Sequence, residues 1–208
     1  MTKLIFKKKL IIFDLDGTLI DSKINMKFAW HSANKKFKLK IPFKEYFKNV
    51  GMPYDKILKN LKVKNNIEAI EKEYSRASIL NIKKIRLYNG VKKSLRILKK
   101  KKIKTAIATS KSLRRTKKIL KSLNIKVDAL QCPSKKLRGK PYPDQILKIV
   151  NKMKIPKKNC IYVGDTKYDA IASKRSNIDF ALAMYGYKIG IKKSKINLKN
   201  IFQITKFI

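Results

Sequence analysis

Short apolar runs alternate along this chain with segments whose apolar residues recur every three or four positions. Leu10 to Phe13 is continuously apolar and then stops at two carboxylates, Asp14 and Asp16. A run of that kind is the signature of a strand buried on both faces. Runs over 103–108, 126–130, 160–163 and 179–183 have the same character, while 91–100, 112–122, 143–153 and 166–176 carry helical spacing. Regular strand–helix alternation predicts a doubly wound parallel sheet of the α/β class, Rossmann-like in its layering. Between 21 and 87 the strand pattern lapses, and the spacing predicts helices over 24–38, 42–48, 53–61 and 67–79. The first of these presents Met26, Phe28, Ala29, Trp30, Ala33 and Phe37 as a wide apolar face. The expected organisation is therefore a core built from 1–20 and 88–208, with a small helical domain inserted at 21–87. Beyond Gly186 and Tyr187 the lysine-rich tail carries no chemical signal and reads as a docking strand or helix.

Candidate chemistry sits where the predicted strands end. Asp14 and Asp16 are spaced so that both side chains point the same way on an extended chain, and neither acid can continue the buried strand unpaired. They can share a divalent cation and divide nucleophilic from acid/base work. Gly17 permits a tight turn and Thr18 adds a hydroxyl. Thr109-Ser110-Lys111 follows the next such strand, ahead of a helix opening near Ser112, and offers hydroxyls and backbone N–H groups to an anion. Lys140 lies in Gly139-Lys140-Pro141-Tyr142-Pro143, where two prolines flank a tyrosine and hold the lysine at the mouth of a helix. Asp165 ends the 160–163 run and Asp169 follows one helical turn later, so both carboxylates can face one cation. Only 13 acids occur in 208 residues, so their placement in these two motifs is informative. Taken singly, each motif also has a bland explanation: a capped turn, a helix start, or a solvated lysine among many.

Together and in this order the motifs resemble those of haloacid-dehalogenase-superfamily phosphatases, of the phosphoglycolate-phosphatase-like group with a helical cap. The resemblance spans Asp14 to Asp169 and implies a role for each residue. Asp14 would be the nucleophile that forms an aspartyl-phosphate. Asp16 would protonate the leaving alkoxide and then activate water. Thr109, Ser110 and Lys140 would hold phosphoryl oxygens. Mg²⁺ would be held by Asp14, the backbone carbonyl of Asp16 and Asp165, with Asp169 nearby. Substrate choice in such enzymes comes from the cap, which singles out the turn carrying Gly51, Met52 and Tyr54. Asp16 disfavours a dehalogenase, whereas a sugar phosphomutase keeps both aspartates and stays open. The chain departs from the usual pattern at Ser176-Asn177, where an Ala-Gly helix exit is common. Asparagine also tolerates a left-handed helix cap.

Charge changes the picture less than its size suggests. A net charge of +41 would bind polyanions at low salt, and a catalytically idle polyanion-binding protein is the alternative from a different class. The lysines, however, are spread over the whole chain, with no zinc pair or arginine–aromatic stripe, as an AT-rich genome would produce. The expected partner is a small phosphorylated molecule rather than nucleic acid or membrane, and the expected assembly a monomer or homodimer. The N-terminal apolar run is too short for a secretory signal or a membrane span, which points to a cytoplasmic protein. Cys132 and Cys160 form no metal-binding pair and read as reduced packing residues, and His31, the single histidine, reads as packed on the first helix.

Overall fold

The computed structural model describes residues 7–134 and 136–208. In chain order its first elements are β1 (Leu10–Phe13), β2 (Ile20–Asp21), α1 (Lys23–Lys36), α2 (Phe43–Phe47), α3 (Tyr54–Asn60), α4 (Ile67–Leu80) and β3 (Arg86–Leu87). There follow α5 (Val91–Lys100), β4 (Lys104–Ala108), α6 (Leu113–Ser122), β5 (Ala129–Gln131), α7 (Asp144–Met153), β6 (Cys160–Gly164), α8 (Lys167–Ser176), β7 (Asp179–Ala183) and β8 (Ile196–Leu198). A 3₁₀ helix, Ile201–Phe207, ends the chain.

Six parallel strands form one sheet in the order β5-β4-β1-β6-β7-β8. β1 is central, with Leu10 to Phe13 in register with 104–107 on one side and 160–163 on the other. Its alternate residues feed two cores. Ile11 and Phe13 join Val91, Leu98, Ile119 and Ile201, whereas Leu10 and Ile12 join Ile146, Ile149 and Ala172. This two-sided burial is why β1 is apolar throughout, and why the first polar groups appear where it leaves the sheet. Reversal of strand order beside β1 opens a crevice at the strands' C-terminal ends, the usual ligand position in such sheets.

Helices α1–α4 form a small insertion, entered and left through the antiparallel pair β2–β3. It has its own aromatic core, in which Trp30 stacks on Tyr46 at 4.5 Å and Tyr54 lies 4.7 Å from Tyr74. Buried Glu73 joins α1 to α4 by accepting from Ser32 at 2.7 Å and from Arg76 at 2.7 and 3.0 Å. The Arg76 and Ser32 hydrogen bonds push its carboxyl down to about 2 from an ordinary 4.5. Because the folded value is the lower one, this contribution is present at neutral pH and is lost as pH falls from about 4.5 to about 2. Glu73→Gln is therefore expected to lower the melting temperature at pH 7 by roughly 2–4 °C, the equivalent of about 1 kcal/mol. The gap between the wild-type and variant melts should narrow below about pH 4.5 and close only at about pH 2 or below, and an unchanged gap there would refute the assignment.

Three local outcomes differ from the pattern-based expectations. β5 begins only at Ala129, because Asp128 turns its carboxylate back to accept from the Thr105 N–H at 2.9 Å. His31 is exposed on α1 rather than packed, and Phe28 is half-exposed beneath Lys84. The tail supplies both a sixth strand, β8, and the terminal helix whose Ile201 and Ile204 are buried. Asn177 does close α8 in the left-handed conformation, at φ 55°. Cys132 and Cys160 are buried free thiols. Among the described residues no helix is long and apolar enough to cross a membrane.

Candidate active site

Four loops at the strand ends converge. Asp14 leaves β1 with its N–H still bonded to Val163 at 2.8 Å, so its carboxylate is fixed by the sheet itself. Oxygen atoms of Asp14, Asp165 and Asp169, all buried, lie within 4.8 Å of one another. Lys140 Nζ sits among them, 2.8 Å from Asp14 Oδ1 and 2.6 Å from Asp169 Oδ1. Burial pushes the Asp14 carboxyl up to about 7, with Lys140 pulling against it and Asp169 adding to it. Burial likewise drives Asp165 upward, reinforced by Asp169. For Lys140 burial works against the charge, but Asp14 and Asp169 outweigh it and hold the ammonium protonated.

The three acids are not equivalent. Asp169 is saturated: Oδ1 faces Lys140 and the Tyr162 hydroxyl at 2.9 Å, while Oδ2 accepts from Thr166 N, Thr166 Oγ1 and Asp165 N. Its bonds with Thr166 form a capping box that starts α8. Asp169 thus anchors both Lys140 and the Asp165 loop. Asp165 accepts from the Tyr187 N–H through Oδ2 at 2.7 Å, and its buried Oδ1 has no hydrogen-bond partner. Asp14 Oδ1 also lacks a hydrogen bond despite its ion contact with Lys140. Two orphaned carboxylate oxygens in a buried group with one lysine fit a hard divalent cation.

The surrounding glycines leave the acids no room to retreat. Gly17 has φ +78°, and a Cβ there would lie 2.1 Å from Asp165 Oδ2. A Cβ on Gly186 would meet the Gly17 carbonyl oxygen at 2.1 Å.

The carboxylate of Asp16 stands apart from the acidic group. It accepts from Ser22 Oγ and pairs with Lys111 Nζ at 3.1 Å. Thr109 is buried, with its carbonyl held by Gln145 at 2.9 Å. The Ser110 hydroxyl is engaged elsewhere, donating to the Gly51 carbonyl at 2.7 Å and so tying the core loop to the helical insertion. More contacts close that seam: Phe47 meets Tyr187 edge-on at 5.1 Å, and Arg115 lies 4.9 Å from the Tyr74 ring. At the seam lies a cavity of about 40 Å³ lined by Asp14, Asp16, Thr109, Lys140, Met52 and Tyr54, among others. Gly51 stands on its wall at φ +109°, where a Cβ would approach Thr166 Oγ1 and the Tyr168 ring at 2.9 Å.

Four residues at this site carry no obvious mark in the sequence. Lys111 and Arg115 are lost among 54 lysines and arginines. Ser22 and Tyr187 come together from opposite ends of the chain, the Tyr187 hydroxyl accepting from the Ser22 N–H at 2.8 Å.

Residues 11–183 match the family model for haloacid dehalogenase-like hydrolases. The chain belongs to that family. This haloacid dehalogenase-like hydrolase is 30% identical over 190 residues to a phosphoglycolate phosphatase from Aquifex aeolicus, with 86% of each chain covered. It is 29% identical to one from Haemophilus influenzae, with 93% of each covered. Among solved structures, a hydrolase from Pseudomonas syringae has the same fold, with a TM-score of 0.85 at 23% identity over 96% of this chain and 97% of that one.

Proposed function

We propose that this hydrolase is a Mg²⁺-dependent phosphomonoesterase that acts on a small phosphorylated metabolite of the phosphoglycolate type through an aspartyl-phosphate on Asp14. The observation that carries the reading is the Asp14 carboxylate, fixed at the end of β1 beside Lys140 and next to an unpartnered Asp165 oxygen. The phosphatase relatives support the same reaction class.

In the first step an Asp14 oxygen attacks phosphorus and the ester P–O bond breaks. Asp16, which lines the same cavity outside the acidic group, delivers a proton to the departing alkoxide. In the second step Asp16 takes a proton from water as that water attacks phosphorus, and Asp14 leaves as carboxylate. Thr109 and Lys140 bind the equatorial oxygens as they shift, Lys140 also lowering the repulsion between Asp14 and the incoming dianion. Lys111 and Ser22 orient Asp16 toward the cavity. Mg²⁺ held by Asp14 and Asp165, with Asp169 fixing the arrangement, would supply the charge that lets a phosphate approach buried carboxylates. Residues 21–87 serve as the cap over a core of 1–20 and 88–208, and the Gly51, Met52 and Tyr54 wall excludes large leaving groups.

Release of inorganic phosphate from phosphoglycolate and sugar phosphates, with and without Mg²⁺, tests the reading. Transfer of the phosphoryl group to a second sugar phosphate, with no free phosphate, would replace it by a mutase. Cation binding has its own readout. At Mg²⁺ 100-fold above its dissociation constant the melting temperature should rise by roughly 5–10 °C, the equivalent of about 2.7 kcal/mol. Asp165→Asn should abolish that rise, and its persistence would place the cation elsewhere.

A further inference from the structure

Arg115 projects from the first turn of α6 into the seam beneath the helical insertion and is only 5% exposed. Its Nε donates to Ser112 Oγ at 3.3 Å, and its guanidinium lies over the Tyr74 ring. Among the described residues no carboxylate approaches it within the 4.0 Å of an ion pair. Glu71 is near enough for Arg115 to oppose the upward push that burial gives its carboxyl, yet the two form no pair. An arginine this deeply buried without a counterion has paid desolvation that an aromatic face only partly offsets. On the same cavity wall Tyr54 is 5% exposed, and its hydroxyl is buried with no hydrogen-bond partner. Both residues line the cavity that holds Asp14 and Lys140, and neither is used in the phosphoryl-transfer steps.

We propose that Arg115 and Tyr54 form a second-anion subsite, selecting short phosphomonoesters that carry a carboxylate or a second phosphate close to the ester carbon. This rests on the phosphatase reading and deepens it by assigning the residues that recognise an anion on the leaving group. The far charge of the substrate meets the Arg115 fork, and Tyr54 donates its free hydroxyl to the same group. Arg115 belongs to the core and Tyr54 to the insertion, so the subsite is complete only when the two are closed together, as here.

Phosphoglycolate and ethyl phosphate supply the test, because both are two-carbon phosphomonoesters and only one has the second anion. The bisphosphate of ethylene glycol separates a second phosphate from a carboxylate. Wild type is expected to favour an anion-bearing substrate over ethyl phosphate by roughly 100-fold in kcat/KM. Arg115→Gln should reduce that preference to below about 10-fold, Arg115→Lys should retain more of it, and Tyr54→Phe should reduce it several-fold. Should Arg115→Gln fail to fold, Tyr54→Phe decides, since it removes one oxygen that bonds nothing in the protein. Equal turnover of ethyl phosphate and phosphoglycolate by wild type overturns the subsite and leaves the phosphatase intact. So does a preference that survives in folded Arg115→Gln or in Tyr54→Phe. Absence of phosphate release from every compound overturns both.

Discussion

Asp14→Asn is expected to slow phosphate release at least roughly 10⁴-fold while leaving the melting temperature, in the absence of divalent cations, unchanged or raised by a few degrees. The first effect follows from the role of Asp14 as nucleophile, since an amide of the same shape cannot form the aspartyl-phosphate. The second follows from what surrounds it. Three buried carboxylates lie together around the ammonium of Lys140, which contacts two of them, and one oxygen each of Asp14 and Asp165 has no hydrogen bond. Replacing one carboxylate by a neutral group removes repulsion and keeps the backbone bond from Asp14 N to Val163. Loss of activity with retained or increased stability separates a chemical role from a structural one. A variant that melts well below wild type would show that Asp14 instead holds the loop together. Phosphate release and thermal melts on the same preparations give both readouts.

What the sequence made legible depended on contrast. Carboxylates are rare in this chain, so Asp14, Asp16, Asp165 and Asp169 stood out against an apolar strand end, and the fold brings all four to one crevice. Lys140 was legible through Pro141 and Pro143, which follow it, rather than through its charge. Lys111 and Arg115 had no such contrast, because a basic residue in a basic chain says nothing until burial removes its solvent. The Ser110 hydroxyl sits in a loop that would suit an anion, yet it donates to Gly51, a contact across 59 positions that no local pattern encodes. Tyr187 was hidden for the same reason. Its N–H holds Asp165 and its hydroxyl reaches Ser22, and both contacts exist only because β7 runs beside β6. The different roles of Asp165 and Asp169 were likewise out of reach, since they follow from which oxygens other groups have already taken.

Lys140→Met should act in the opposite direction on stability and the same direction on activity. The side chain is 2% exposed and touches two buried carboxylates, so an apolar replacement strands both. Removing one member of a buried ion network costs about 3–5 kcal/mol, which for a chain of this size lowers the melting temperature by roughly 10 °C or more. Activity should fall at least roughly 10³-fold, because a phosphate dianion would then meet Asp14 without the ammonium between them. The decisive comparison is the double variant Asp14→Asn/Lys140→Met. If Lys140 stabilises the fold by neutralising Asp14, removing both should cost less than the sum of the single changes, with a coupling of about 1–3 kcal/mol in denaturant melts. Strict additivity would mean that the structural work of Lys140 is done through Asp169 alone, at 2.6 Å, and that its contact with Asp14 is kept for catalysis. Asp169 has five donors whereas the buried Asp14 Oδ1 has no hydrogen bond, so the coupling should be the larger for Asp14.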